Sequence, residues 1–191
     1  MLNRLIIFAF VIGLFATPSH AASKKYIIDT SHTSIEFYIN HMGFSNFQGE
    51  FQKFKGVIVF DEEKPTEGSV DITIYPHSID TDVEELDNHL ESAAVFDAAQ
   101  FPVITFKSKF IKVVGENKGH IWGALTMHGV TKDIMLETTL NKAALHPLKK
   151  VPTVGFSATG KINRSDFGMT RYIPLVSDEV TIRIETEAMA E

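Results

Sequence analysis

The chain has 191 residues, no cysteine, and 18 Lys and Arg against 24 Asp and Glu, for a formal net charge of −6. Without cysteine there are no disulfides, thiol nucleophiles, cysteine–zinc sites, c-type haem attachments or acylated lipoprotein anchors. The acidic balance argues against nucleic acid as a partner and against docking on an anionic membrane by net charge alone.

An export signal opens the chain. Arg4 supplies positive charge, Leu5 to Ala16 is an uncharged apolar run, and Thr17-Pro18-Ser19-His20-Ala21 ends it with the small residues a signal peptidase reads. The run is 12 residues long, whereas a membrane span needs about 20. Cleavage is expected after Ala21, leaving residues 22–191 as one exported domain with no stable membrane anchor. The leader removes one Arg and no acid, so the net charge falls to −7. No linker or low-complexity tract divides the remainder, and its length suits a single core.

Strand alternation then recurs. Ser34 to His41 places Ile35, Phe37, Ile39 and His41 on one face, opposite Glu36, Tyr38 and Asn40. Phe51 to Phe60 is β-rich but less regular, and Ser69 to Tyr75 sets Val70, Ile72 and Ile74 against Ser69, Asp71 and Thr73. Thr81-Asp-Val-Glu84 then reads as a capping box, with Thr81 as cap and Glu84 reaching back. Val83, Leu86, Leu90 and Ala94 form an apolar stripe, which predicts a helix from Asp82 to about Ser92 and a short turn near Ala94 to Ala99. Pro102 ends this excursion, and further strands are expected at Val103–Val114, Gly119–Met127, Lys132–Leu140, Val154–Ile162 and Val180–Ala188. Turn signals at Glu63–Gly68, Gly115–Gly119 and His128-Gly129 imply antiparallel neighbours. The expected fold is all-β: an eight-stranded antiparallel barrel with a short helical insertion between the third and fourth strands.

The inward rows carry large groups, including Phe37, Ile39, Phe106, Phe110, Phe156, Ile182 and Ile184. They also carry gaps at Ser108, Gly123, Thr138, Ala158, Gly160 and Thr186. An eight-stranded barrel either fills with side chains or holds one small ligand, and periodicity leaves both open.

Read in order, the chain contains His32-Thr-Ser-Ile-Glu-Phe37, Ile39-Asn-His41-Met-Gly43, Gly49-Glu-Phe51 with Phe54 and Gly56, Phe60-Asp61, Ser78-Ile79-Asp80-Thr81 and Asp87-Asn-His89-Leu90. Phe96-Asp97, Phe101-Pro102-Val-Ile-Thr-Phe106, Gly123-Ala-Leu125, His128-Gly129-Val130-Thr131-Lys132, Gly155-Phe156 and Arg164-Ser-Asp166-Phe167-Gly168 follow. This ordered set resembles the YceI-like family of polyisoprenoid-binding, lipocalin-like proteins and runs over the whole chain after the leader. The resemblance implies a lipocalin-like barrel with a long hydrophobic tunnel that binds polyprenyl phosphates, quinones or other long lipids. It also implies a periplasmic or secreted location, here read as periplasmic, and no established catalytic activity. The loop from Lys142 to Pro152 fits the family pattern poorly.

With that resemblance the hollow barrel is the expected one. Phe37, Ile39, His41, Phe106, Phe110, Phe156, Ala158, Ile182 and Ile184 are then the expected lumen contacts. A long-chain isoprenoid lipid is the expected ligand, with no other cofactor. His41 ends an inward row and is a candidate for a ligand head group or a hydrogen-bonded rim residue. His89, beside Leu90 on the helix, is a candidate for head-group contact or for packing. Arg164 and Asp166 are candidates for a phosphate contact near an entrance or for an ion pair pinning a long loop. No spaced metal-ligand cluster and no Gly-x-Ser-x-Gly elbow occurs, which argues against a metal site and against an enzyme. Two rivals stand beside the lipid carrier: a filled barrel acting through its surface, and an enzyme with a site at the barrel mouth.

N-terminal sequencing of the protein from its native host is expected to read Ala22 first. A membrane-bound chain beginning at Met1 would overturn the cleavage.

Overall fold

The computed structural model describes residues 23–191, and the leader with its cleavage site lies outside them. The alternating segments form β1 (Lys24–Ile28), β2 (Ser34–His41), β3 (Ser45–Phe51), β4 (Phe54–Phe60), β5 (Ser69–Ile74), β6 (Ile79–Asp80), β7 (Ile104–Gly115), β8 (Lys118–Met127), β9 (Val130–Leu145), β10 (Pro152–Asn163) and β11 (Val176–Ala190). Hydrogen bonds run antiparallel in the order β1-β4-β5-β7-β8-β9-β10-β11, and β11 returns to β1, closing an eight-stranded barrel. Closure gives each of these eight strands a neighbour on both sides.

Three wall positions are broken strands. β11 pairs with β1 through Tyr26↔Ala190 and with β2 down to His41↔Val176, so β1 and β2 occupy one wall position in succession. β3 and β4 share the next, and β5 and β6 the third. The breaks face one another. Tyr75 N–H donates to Lys53 O at 3.0 Å and Gln52 N–H to Ser78 O at 2.9 Å. Ser78 Oγ accepts Lys53 N–H at 2.8 Å and donates to Tyr75 O at 2.7 Å. The buried serine thus replaces ladder bonds lost where Pro76 interrupts the strand. The sequence reading resolved only one member of each broken pair, because pieces such as β1 and β6 are too short to show a period.

The helix α1 (Glu84–Glu91) lies within the predicted segment. Its start differs from the expected capping box. Val83 holds the cap position without a side-chain bond. Thr81 instead donates both its N–H (2.9 Å) and its hydroxyl (2.6 Å) to Asp87 Oδ1. Asp87 also lies in the first turns of the helix, where the dipole favours a carboxylate. Leu90 and the following Val95 and Phe96 pack on the core, while Val83 is exposed.

Part of the barrel interior is filled by alternating large and small residues. Phe51 stands between the Phe37 and Phe96 rings, at centroid distances of 5.9 and 5.8 Å. A β-carbon at Gly49 would strike the Phe37 ring and one at Gly123 the Phe106 ring. Gly160, expected to border free volume, is filled by Leu136: a β-carbon there would lie 2.7 Å from Leu136 Cδ2 and 3.1 Å from Met135 O. Ser108, also read as a gap, has its hydroxyl 2.8 Å from Val70 N–H, which it accepts.

Gly160→Val therefore overpacks the wall and is expected to cost about 1–3 kcal/mol in urea unfolding. An unchanged midpoint would show that Leu136 has room to withdraw.

Candidate ligand cavity in the barrel lumen

Beyond the packed part the barrel is hollow. A cavity of about 270 Å³ is lined by β1, β2, β4, β5, β7, β8, β9, β10 and β11. Its wall is built from the period-2 rows. β5 contributes Val70, Ile72 and Ile74, β9 contributes Ile134, Leu136 and Leu140, and β11 contributes Ile182, Ile184 and Thr186. The lining reaches the surface at Glu62 and Pro65 in the β4–β5 loop and at Glu116, Asn117 and Lys118 in the β7–β8 turn. That end is the mouth. Phe60 and Phe156 stand edge to face at 5.4 Å beside it.

Of the expected lumen contacts, Phe106, Phe156, Ala158, Ile182 and Ile184 line this cavity. The other four do not. Phe37 lies in the packed part against Phe51. Ile39 pairs with Phe47 and Val180, further from the mouth than the cavity wall. His41 is exposed where β2 turns into β3, at the end opposite the mouth. Phe110 is on the outer surface, 54 % exposed and stacked on Trp122 at 4.7 Å and 11°. Its reversal has a local cause. The β7–β8 register passes from Ser108↔Gly123 to Phe110↔Trp122, so Lys109 is the extra residue of a bulge. One inserted residue flips the parity of every later side chain, sending Phe110 outward and Ile111 and Val113 into the lumen.

The head-group candidates are also at the far end. Arg164 is buried and spends its guanidinium on four backbone carbonyls: Ser177 (2.9 Å), Met169 (3.0 Å), Arg171 (2.7 Å) and Val176 (2.9 Å). It pins the long loop between β10 and β11, but not through Asp166, which is exposed. The carboxylate that helps is Asp178, which accepts Ser165 N–H (2.8 Å) and Oγ–H (2.6 Å) and is held below its ordinary pKa chiefly by that hydroxyl. The His89 ring lies 6.0 Å from that of Tyr172, tilted by 47°, and its Nε2 is buried without a partner among the described residues. None of these side chains reaches the cavity.

The interior offers little chemistry. Thr33 and Thr186 share a hydroxyl–hydroxyl hydrogen bond of 2.9 Å, and the buried Thr138 Oγ1 has no partner. No histidine lines the space, and its charged residues Glu62, Glu116 and Lys118 are all at the mouth. Among the described residues no three His, Asp or Glu side chains converge as a metal site. The arrangement selects for an apolar body and keeps charge at the rim. The residues missed from the sequence, chiefly Val70, Ile72, Ile74, Ile134 and Leu136, already showed the alternation; what it lacked was the level at which each would fall.

Thr138→Val removes an unpaired buried hydroxyl at nearly constant shape. The melting temperature of the ligand-free protein is expected to rise, and a fall would mean that the hydroxyl has a partner in solution.

Comparison with known proteins agrees with this geometry. A family model described as a YceI-like domain matches residues 26–188. Protein YceI of Salmonella agona is 37 % identical over 193 residues, covering 100 % of both chains. BcnA of Burkholderia cenocepacia has a similar structure, with a TM-score of 0.77 at 26 % identity over 84 % of this chain and 98 % of that one. The YceI protein of Campylobacter jejuni gives 0.70 at 34 % identity, covering 80 % and 90 %. A polyisoprenoid-binding domain from Saccharophagus degradans shares the fold, with a TM-score of 0.67 over 88 % and 99 % of the two chains at 15 % identity. By sequence and by fold, this chain belongs to the YceI-like family.

Proposed function

We propose that the protein binds one long apolar chain, a polyprenyl phosphate, a quinone or a similar isoprenoid lipid, with its tail in the lumen and its polar head at the mouth. It then serves as a carrier or reservoir outside the cytoplasm, after export and loss of residues 1–21. The observation that carries this reading is the cavity of about 270 Å³ whose charged lining residues all sit at its mouth. That volume lies just under the range of about 300–1,000 Å³ usual for ligand pockets. Burial of apolar surface yields about 25 cal/mol per Å², so a prenyl tail needs almost no polar contact to bind. Such a wall discriminates weakly between chains that differ by a methylene. The shared fold with a polyisoprenoid-binding domain supports the same ligand class.

Native mass spectrometry of gently purified protein is expected to show a long-chain adduct that organic solvent removes. Ala158 lines the cavity, whereas the next residue, Thr159, is exposed. Ala158→Phe should weaken uptake of an added polyprenyl phosphate or quinone by roughly ten-fold or more, with apo stability nearly unchanged or raised, because the ring fills empty space. Thr159→Phe should leave uptake unchanged. Full uptake by Ala158→Phe, together with an apo stability loss of about 1–3 kcal/mol, would mean a filled wall at this position. No adduct and no uptake by the unchanged protein would favour a barrel that acts through its surface.

A further inference from the structure

The loop from Lys142 to Pro152 is the most prominent apolar feature at the mouth end. β9 leaves the cavity wall at Leu140 and β10 rejoins it at Phe156. Between them the ladder continues through Val154↔Ala143, still buried in the core, and ends at the exposed tip beyond Leu145↔Pro152. Leu140 N–H donates to Asn117 O at 2.8 Å, which ties the base of this hairpin to the β7–β8 turn that borders the mouth.

The tip is a built turn. His146 N–H donates to Val151 O at 2.8 Å and Lys150 N–H to His146 O at 2.9 Å. The His146 Nδ1 atom accepts the N–H groups of Leu148 (3.2 Å) and Lys149 (3.1 Å). This frame presents Leu148 at 85 % exposure and Leu145 at 64 %. Bare leucines in water are unfavourable in proportion to their area, so a surface that covers them would gain affinity.

Charge indicates what that surface is. The chain carries a formal net charge of −6, yet no acidic residue occurs between Glu137 and Asp166. Lys142, Lys149 and Lys150 flank the two leucines within that stretch. Lys149 bridges to Asp29 at 3.3 Å, whereas Lys142 and Lys150 make no ion pair among the described residues. A second copy pairing through the same hairpin would set lysine against lysine. An anionic bilayer accepts both features, with leucines entering the acyl boundary and lysine heads among phosphates.

On the reading that the lumen takes an apolar chain, we propose that the β9–β10 hairpin docks the barrel, mouth end first, on a bilayer rich in anionic phospholipid. The mouth then meets the phase in which a water-insoluble chain resides. Glu62 and Glu116 on the mouth rim repel an anionic surface, so the contact is confined to the hairpin tip beside them.

The test is co-sedimentation with vesicles of phosphatidylcholine alone and of phosphatidylcholine with phosphatidylglycerol, at low and high salt. The unchanged protein is expected to bind the anionic vesicles, less so at high salt, and to bind neutral vesicles weakly. Leu145→Ser with Leu148→Ser, and separately Lys142→Gln with Lys150→Gln, should each reduce binding by roughly ten-fold. Phe44→Ser, which removes the 90 % exposed ring at the opposite end, should leave it unchanged. Docking is overturned if the unchanged protein ignores anionic vesicles, if both double variants bind as it does, or if Phe44→Ser alone abolishes binding. It is also overturned if the leucine variant instead abolishes self-association measured without vesicles. Uptake of a polyprenyl phosphate from detergent micelles separates this from the lumen reading. The double variants should take up the chain normally. Loss of uptake in the unchanged protein with vesicle binding intact would refute the lumen ligand and leave the docking face standing.

Discussion

The structure depends on β11 finding partners on both sides. One edge pairs with β10 along most of its length, and the other pairs with β2 and then β1. That second edge closes the sheet. Closure removes exposed strand edges and sets the diameter, and at eight strands the interior is just wide enough either to fill or to hold a ligand. With no cysteine to staple the wall, the ladder and the side chains inside it carry the stability.

Side-chain size then decides which parts of the lumen remain empty. At the far end Phe37, Phe51 and Phe96 meet ring to ring, while in the cavity wall Phe106 occupies the space that Gly123 leaves. Nearer the mouth, Ala158, Thr138 and Thr186 face branched aliphatic groups, and nothing occupies the middle. A filled floor beneath an open chamber combines stability with a preformed site, so a ligand there need not displace core side chains. The same division explains why Arg164 is a structural residue. It lies below the floor, and its guanidinium is already committed to the carbonyls of the loop it closes.

At the mouth, the polar rim and the apolar hairpin perform different tasks. Glu62, Glu116 and Lys118 mark where the low-dielectric lumen ends, because a charge further in would lose its hydration without a partner. Leu145 and Leu148 at the β9–β10 tip are exposed and belong to the outer surface.

The repeating pattern of the sequence determined a great deal on its own. Rows such as Val70-Ile72-Ile74 and Ile182-Ile184 are apolar on one face only, so they form strands with one buried side whatever surrounds them. The short turns between them force antiparallel neighbours, whereas closure rests on the long-range pairing of β11 with β2 and β1. The ordered motifs carried the family. Tertiary structure decided the parity and the level of individual residues. Lys109 bulges only because β8 opposes it, and that single insertion moves Phe110 from lumen to surface. Phe37 and Ile184 look alike in sequence, yet one joins the floor and the other lines the chamber, because their heights depend on the stagger of the closed sheet. Arg164 and Asp166 are two residues apart, but the folding of the β10–β11 loop buries Arg164 against carbonyls 5 to 13 residues further on and leaves Asp166 exposed. Alternation is a local property of a strand, whereas depth within a barrel is set by partners far away in the chain.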